Sequence, residues 1–165
     1  MTGARKAWWA LTLVTVAVYV VLVSVGQMHL DTGDGQQPFD LRVLGYSAAE
    51  AQAYLDALHP VQVTFYGGIL RLLDTAFPML FGLWLFLSAR ALDVRPHVLI
   101  WLGPAYALAD LTENALIAQI LKWHEAQVPA DLVVWASAAT QAKFVLLAVT
   151  LILLGRAGLK RWKGA

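Results

Sequence analysis

Four apolar runs, near residues 7–28, 62–89, 97–121 and 132–155, restrict what this chain can become more than any other feature. A helix of about 20 residues crosses a hydrocarbon core about 30 Å thick, and each run is that long. Between the runs there is too little charge to coat a water-facing surface. Of 165 residues 59% are hydrophobic and 14% are charged, against about 25% charged in an ordinary soluble domain. The expectation is an all-α, polytopic membrane protein in one domain spanning residues 1–165. Its four transmembrane helices would form an up-down-up-down bundle, because short connections make consecutive helices antiparallel neighbours.

The first run follows Arg5 and Lys6 and opens with Trp8-Trp9, a pair suited to the headgroup region. Small residues at Ser24-Val25-Gly26 allow a cleaved signal peptide as an alternative. The apolar stretch from Ala7 to Val25 exceeds the roughly 7–15 residues of a signal core, which favours a retained anchor. Lysine and arginine then set the orientation. Arg5, Lys6, Arg90, Arg95, Arg156, Lys160, Arg161 and Lys163 fall on one side, and the two opposite loops contain Arg42 and Lys122. The positive-inside rule places both termini in the cytoplasm.

The first outer loop carries structure of its own. Asp31-Thr32-Gly33-Asp34-Gly35 is turn material, lacking the remaining ligand positions of a calcium loop. Ser47 and Glu50 have capping-box spacing, and Ala51, Tyr54, Leu55 and Leu58 recur on one helical face. A short amphipathic helix over about 48–58 follows, ended by His59-Pro60. Over the outer mouth of a bundle it would act as a lid.

Ionisable residues inside the apolar runs are the chemical anomaly, since such groups in hydrocarbon need partners or water within the protein. Run 2 contains Arg71 and Asp74, run 3 contains Asp110, Glu113 and Asn114, and run 4 contains Lys143. At a rise of about 1.5 Å per residue these groups fall in one layer between the midplane and the outer leaflet. Asp110, Glu113 and Asn114 share a face at i, i+3 and i+4, as do Arg71 with Asp74 and Thr140 with Lys143. Thr12, Thr15 and Tyr19 form a milder stripe on run 1. Turning these faces inward predicts pairing of Asp110 with Lys143 and of Arg71 with Glu113, Asp74 being shared or protonated. Pro78 leaves the Asp74 carbonyl without its helical donor.

Asp74, Asp110 and Glu113 are thus the candidate acid, base or anchoring groups. Arg71, Asn114, Lys143, Tyr66 and Tyr19 complete a candidate ligand site for a small or lipidic molecule. A proton- or ion-coupled transporter also uses intramembrane carboxylates, but four helices would then need a homo-oligomer. A third alternative is a non-catalytic subunit or assembly factor whose ion pairs only register the helices. His29, His59 and His124 gather at the outer boundary without metal-ligand spacing, so no metal is expected, although His59 near Tyr66 and Arg71 could pass protons inward. The chain has no cysteine, and no cofactor, nucleophile-elbow, phosphate-loop or nucleic-acid motif. The expected partners are membrane lipid and the ligand.

Gly45-Tyr46-Ser47-Ala48-Ala49-Glu50-Ala51, Asp74-Thr75-Ala76-Phe77-Pro78 and Asp110-Leu111-Thr112-Glu113-Asn114 together resemble a group of small bacterial four-helix integral membrane proteins with no assigned activity. The resemblance covers most of the chain. It implies the architecture and a bacterial inner (cytoplasmic) membrane, and transfers no catalytic role.

Overall fold

A computed structural model describes residues 3–33 and 35–164, and among these the protein is helical without strands. Helix α1 spans Gly3–His29, α2 Ala48–Ala57 and α3 Pro60–Phe65. A π-helical segment, Tyr66–Leu70, joins α3 to α4 at Arg71–Ala91. After a 3-10 turn at His97–Trp101 come α5, Leu102–Ile120, and α6, Ala130–Lys163. The four apolar runs and the short helix therefore appear close to their predicted bounds, with α6 as the exception. It continues eight residues beyond the expected end at 155, to Lys163. Packing explains the extension: Ala157 joins an apolar cluster, and Arg161 Nη1 donates to the Ala91 carbonyl at 2.8 Å.

Three helices are long and apolar enough to cross a membrane: Gly3–His29, the continuous Pro60–Ala91, and Ala130–Lys163. This is the composition of a membrane protein. Helix α5, predicted as a fourth span, is not among them. Asp110, Thr112, Glu113, Asn114 and Gln119 in its 19 residues cut its apolar content. Asp110, Glu113 and Asn114 are buried where α4 packs along one side of α5 and α6 along another, whereas Thr112 and Gln119 are exposed.

The long helices pack in chain order, α1 on α4, α4 on α5, and α5 on α6. At one end Trp8 Nε1 donates to Ser88 Oγ at 3.1 Å, Trp84 Nε1 to Thr12 Oγ1 at 2.8 Å, and Arg161 reaches Ala91. At the other, Gln62 Nε2 donates to the carbonyls of His29 and Asp31. The tightest crossing is between α4 and α5. A Cβ on Gly82 would meet Ala107 Cβ at 2.7 Å, and one on Gly103 would meet the Gly82 oxygen at 2.8 Å. Helix α1 is attached more lightly, with Thr15 as its buried residue.

Apolar packing divides into two clusters. One, around Leu85, Ala89, Val94, Tyr106 and Leu154, fills the end that holds Arg90 and Arg95. The other unites the outer loop with the helices. Ala51, Tyr54, Leu55 and Leu58, the predicted face of α2, all point into it. Ser47 accepts from the Glu50 amide at 3.2 Å while Glu50 Oε2 accepts from the Ser47 amide at 2.7 Å, so the capping box forms. Hydrogen bonding from Ser47 holds the Glu50 carboxyl below its ordinary range.

The preceding loop is folded down equally firmly. The Arg42 guanidinium lies 5.0–5.7 Å from the ring centres of Phe39, Tyr46 and Tyr54. Tyr46 N donates to Ser137 Oγ at 2.9 Å, and Gln141 Nε2 to the Leu44 carbonyl at 2.8 Å. Gly45 turns between them at φ +81°, where a side chain would be strained and would collide with Ser137 and Gln141. Gly33 and Gly35 also take positive φ, and Asp31 Oδ1 caps the turn by accepting from the Gly33 amide; Asp34 of the predicted turn lies outside the described residues.

Through these contacts α2 is a wall of the core, tied to the α5–α6 connection by Gln52 Oε1 accepting from Val128 N at 2.9 Å.

Candidate functional site

The polar face of α5 fans out rather than pointing one way. At about 100° per residue, Glu113 and Asn114 stand on opposite sides of Asp110. Glu113 is thereby aimed at α6 and Asn114 at α4, with Asp110 between.

On the α6 side, Lys143 Nζ lies 3.4 Å from Asp110 Oδ1 and forms a closer ion pair with Glu113 Oε2. Glu113 is completely enclosed and Lys143 nearly so. Thr140, one turn before Lys143, donates to Glu113 Oε1, and Tyr106 OH donates to Asp110 Oδ2 at 2.7 Å. Charges this deep persist only with partners of this quality, because desolvation costs several kcal/mol per ion, on the order of the attraction itself. Tyr46 stands beside this cluster from the loop; burial, with the Glu113 charge nearby, pushes its phenol up from its ordinary value.

The predicted pairing is thus half formed. Asp110 does meet Lys143, but Arg71 does not pair with Glu113. Arg71 is exposed in the first turn of α4, and reaching Glu113 would require passing across α5 to its α6 face. One lysine serves both carboxylates instead.

On the α4 side, Asn114 Nδ2 donates to the Asp74 carbonyl at 2.7 Å. That oxygen is the one Pro78 deprives of its helical donor. The π-helical segment ends just before, over Tyr66-Gly67-Gly68-Ile69-Leu70. Such one-turn departures from the α-helix often occur at functional positions. Tyr66 OH donates to Asp40 Oδ1 at 2.6 Å, tying the loop to this turn. Tyr66, Arg71 and Asn114 border a small groove, with Asp74 between it and a far larger space.

That larger space is a cavity of about 660 Å³ between α1 and α6, with α4 and α5 behind it. Loop residues 35–38 with Asp40 and Leu41 form its rim, and its far end is reached at Thr15, Phe81, Tyr106 and Leu151. Tyr19, Asp74, Asp110 and Lys143 of the predicted site line it. Glu113, Asn114, Arg71 and Tyr66 do not. The aromatic wall was not foreseen: Tyr19 lies 5.3 Å from Phe77, Phe77 5.3 Å from Phe81, and Phe81 5.5 Å from Tyr106 between ring centres. Tyr106 could have been found from its spacing four residues before Asp110. Asp40 had no such signal, since its place depends on how the loop folds.

The outer histidines are engaged by backbone and rings. His29 stacks on Phe65 at 4.4 Å, His59 Nδ1 accepts from the Val61 amide, and His124 Nε2 bonds the Leu58 carbonyl at 2.7 Å. No group of three or more histidine or acidic residues among the described residues is placed to hold a metal ion.

Compared with known protein families, characterised proteins and solved structures, the chain matches none.

Proposed function

We propose that this chain is a multi-pass protein of the bacterial inner membrane whose outer-half cavity binds a small or lipidic molecule. In this reading α1, Pro60–Ala91, α5 and α6 are four spans running up-down-up-down, with both termini cytoplasmic. The burial of Asp110 and Glu113 supports α5 being a span, because its carboxylates then meet protein rather than lipid. The charge distribution supports the orientation. Arg90, Arg95 and Arg161 gather at the end where Trp8 meets Ser88, and α6, about 51 Å long at 1.5 Å per residue, carries its basic turn beyond a bilayer core.

The observation that carries the binding reading is the cavity itself. Its volume is that of a ligand pocket, its walls are largely apolar, and its polar groups converge from four helices. Apolar packing around Leu85 and Leu154 fills the space beyond it, which favours a blind chamber over a path through the membrane. Binding is also favoured over catalysis. Lys143 occupies Asp110 and Glu113, which leaves Asp74 as the candidate carboxylate open to a ligand.

The test is extraction into a mild detergent followed by mass spectrometry of what co-purifies. Wild-type protein should retain a bound species that Leu147→Trp, which fills the cavity from α6, loses while still folding. An equal yield of the same species from both proteins would refute a ligand in this cavity.

A further inference from the structure

The charges around the cavity select one class of occupant. Asp31 and Asp40 stand toward its rim and Asp74 and Asp110 on its inner wall, against one cation, Lys143. That cation is already held by Asp110 and Glu113. Among the described residues, no hydrogen-bond donor or ion-pair partner reaches the Asp74 carboxylate, although Asn114 satisfies the carbonyl of the same residue. Beside Asp74 the cavity is walled by the rings of Tyr19, Phe77, Phe81 and Tyr106, packed on one another at 5.3–5.5 Å between centres, and aromatic surface of this kind attracts a cation. Beyond them, Val16, Val23, Leu147 and Leu151 of α1 and α6 offer an apolar channel toward the gap between those helices. An anion would add its charge to an acidic wall, and a neutral molecule could give Asp74 a hydrogen bond but no compensating charge.

Building on the reading of this cavity as a ligand site, we propose that it takes an amphiphilic organic cation, an ammonium group joined to an alkyl chain. The ammonium sits against Asp74 beside the aromatic wall, and the chain lies between α1 and α6, the side from which a membrane-dissolved amphiphile would enter. The ammonium can belong to a free alkylamine or to a zwitterionic lipid headgroup.

The test uses the full chain in nanodiscs of anionic lipid and compares dodecyltrimethylammonium, dodecanol, dodecyl sulfate and a short-chain phosphatidylcholine by thermal stabilisation. The cation should stabilise saturably and bind at least about tenfold more tightly than dodecanol, the scale set by a desolvated cation–aromatic contact with its carboxylate. Asp74→Asn should remove that preference. Phosphatidylcholine competing with the alkylammonium would assign the site to a lipid headgroup, and no competition would assign it to free amines; either supports the ammonium class. Equal binding of cation and alcohol, or preference for the sulfate, would overturn the cation proposal while leaving the cavity as a ligand site. Failure of every probe to bind would overturn both. The probe series on the unaltered protein decides the matter even if Asp74→Asn does not fold.

Discussion

Asn114 on α5 donates its side-chain amide to the backbone carbonyl of Asp74 on α4, the acceptor that Pro78 cannot satisfy. A gap in one helix's hydrogen bonding is thus filled by its neighbour. The contact fixes both helices at the height where Asp74 enters the cavity. Asn114→Ala should therefore cost about 1–3 kcal/mol of stability, the usual penalty for an orphaned buried acceptor. In a Pro78→Ala background the restored amide of residue 78 supplies a donor, and the cost of losing Asn114 should shrink. A double-mutant cycle on thermal unfolding in detergent measures this; additive costs would show that the two residues do not share the carbonyl.

Lys143 neutralises two buried carboxylates at once. Lys143→Met should destabilise by about 3–5 kcal/mol, because it strands charge without a partner. Adding Glu113→Gln should recover a substantial part of that loss, since Asp110 keeps its hydrogen bond from Tyr106. Reversing Glu113 with Arg71 should rescue nothing. Chemical unfolding of the four proteins tests the set, and rescue by the Arg71 reversal would contradict the observed pairing.

The α4–α5 crossing depends on missing side chains. Gly103→Ala should cost about 1–3 kcal/mol by overpacking, since its Cβ would press on Gly82 O, Leu85 Cβ and Phe86 N at 2.8–2.9 Å. Gly155→Ala, with nothing within 4 Å, should instead be neutral or stabilising by about 0.5–1 kcal/mol through helix propensity. Comparable effects at the two positions would argue against the close approach.

A chain with no cysteine lends itself to single-cysteine mapping. Cysteines replacing Gln37 and Gln127 should react with a membrane-impermeant thiol reagent from outside intact spheroplasts. Those replacing Asp93 and Trp162 should react only after permeabilisation. Labelling of positions 93 and 127 from the same side would exclude α5 as a span.

The capping box gives α2 a pH response of known sign. Glu50 ionises below its ordinary value near 4.5 in the folded protein, so its contribution is fully present above that pH and is lost as pH falls through the lowered value. Glu50→Gln keeps an acceptor for the Ser47 amide but removes the titration. The melting temperature of wild type should fall more steeply than that of the variant on acidification in this range; parallel curves would show that the box is not coupled to stability.

The sequence by itself determined the helices and the helical phase of their polar residues. Runs of apolar residues place long helices wherever the chain must satisfy its backbone internally, and Ser47 with Glu50 starts α2 as their spacing requires. Local spacing also brought Asp110, Glu113 and Asn114 onto one face. What it left open was which neighbour each side chain of that face would meet. Glu113 and Asn114 diverge by about 100°, one on either side of Asp110, and only the packing of α6 and α4 there gave one to Lys143 and the other to Asp74. Tertiary structure likewise put Arg71 outside the cluster, drew α2 into the core, and opened the cavity between α1 and α6. These outcomes depend on contacts between segments far apart in the chain, and helical periodicity reports the direction of a side chain without saying what lies there.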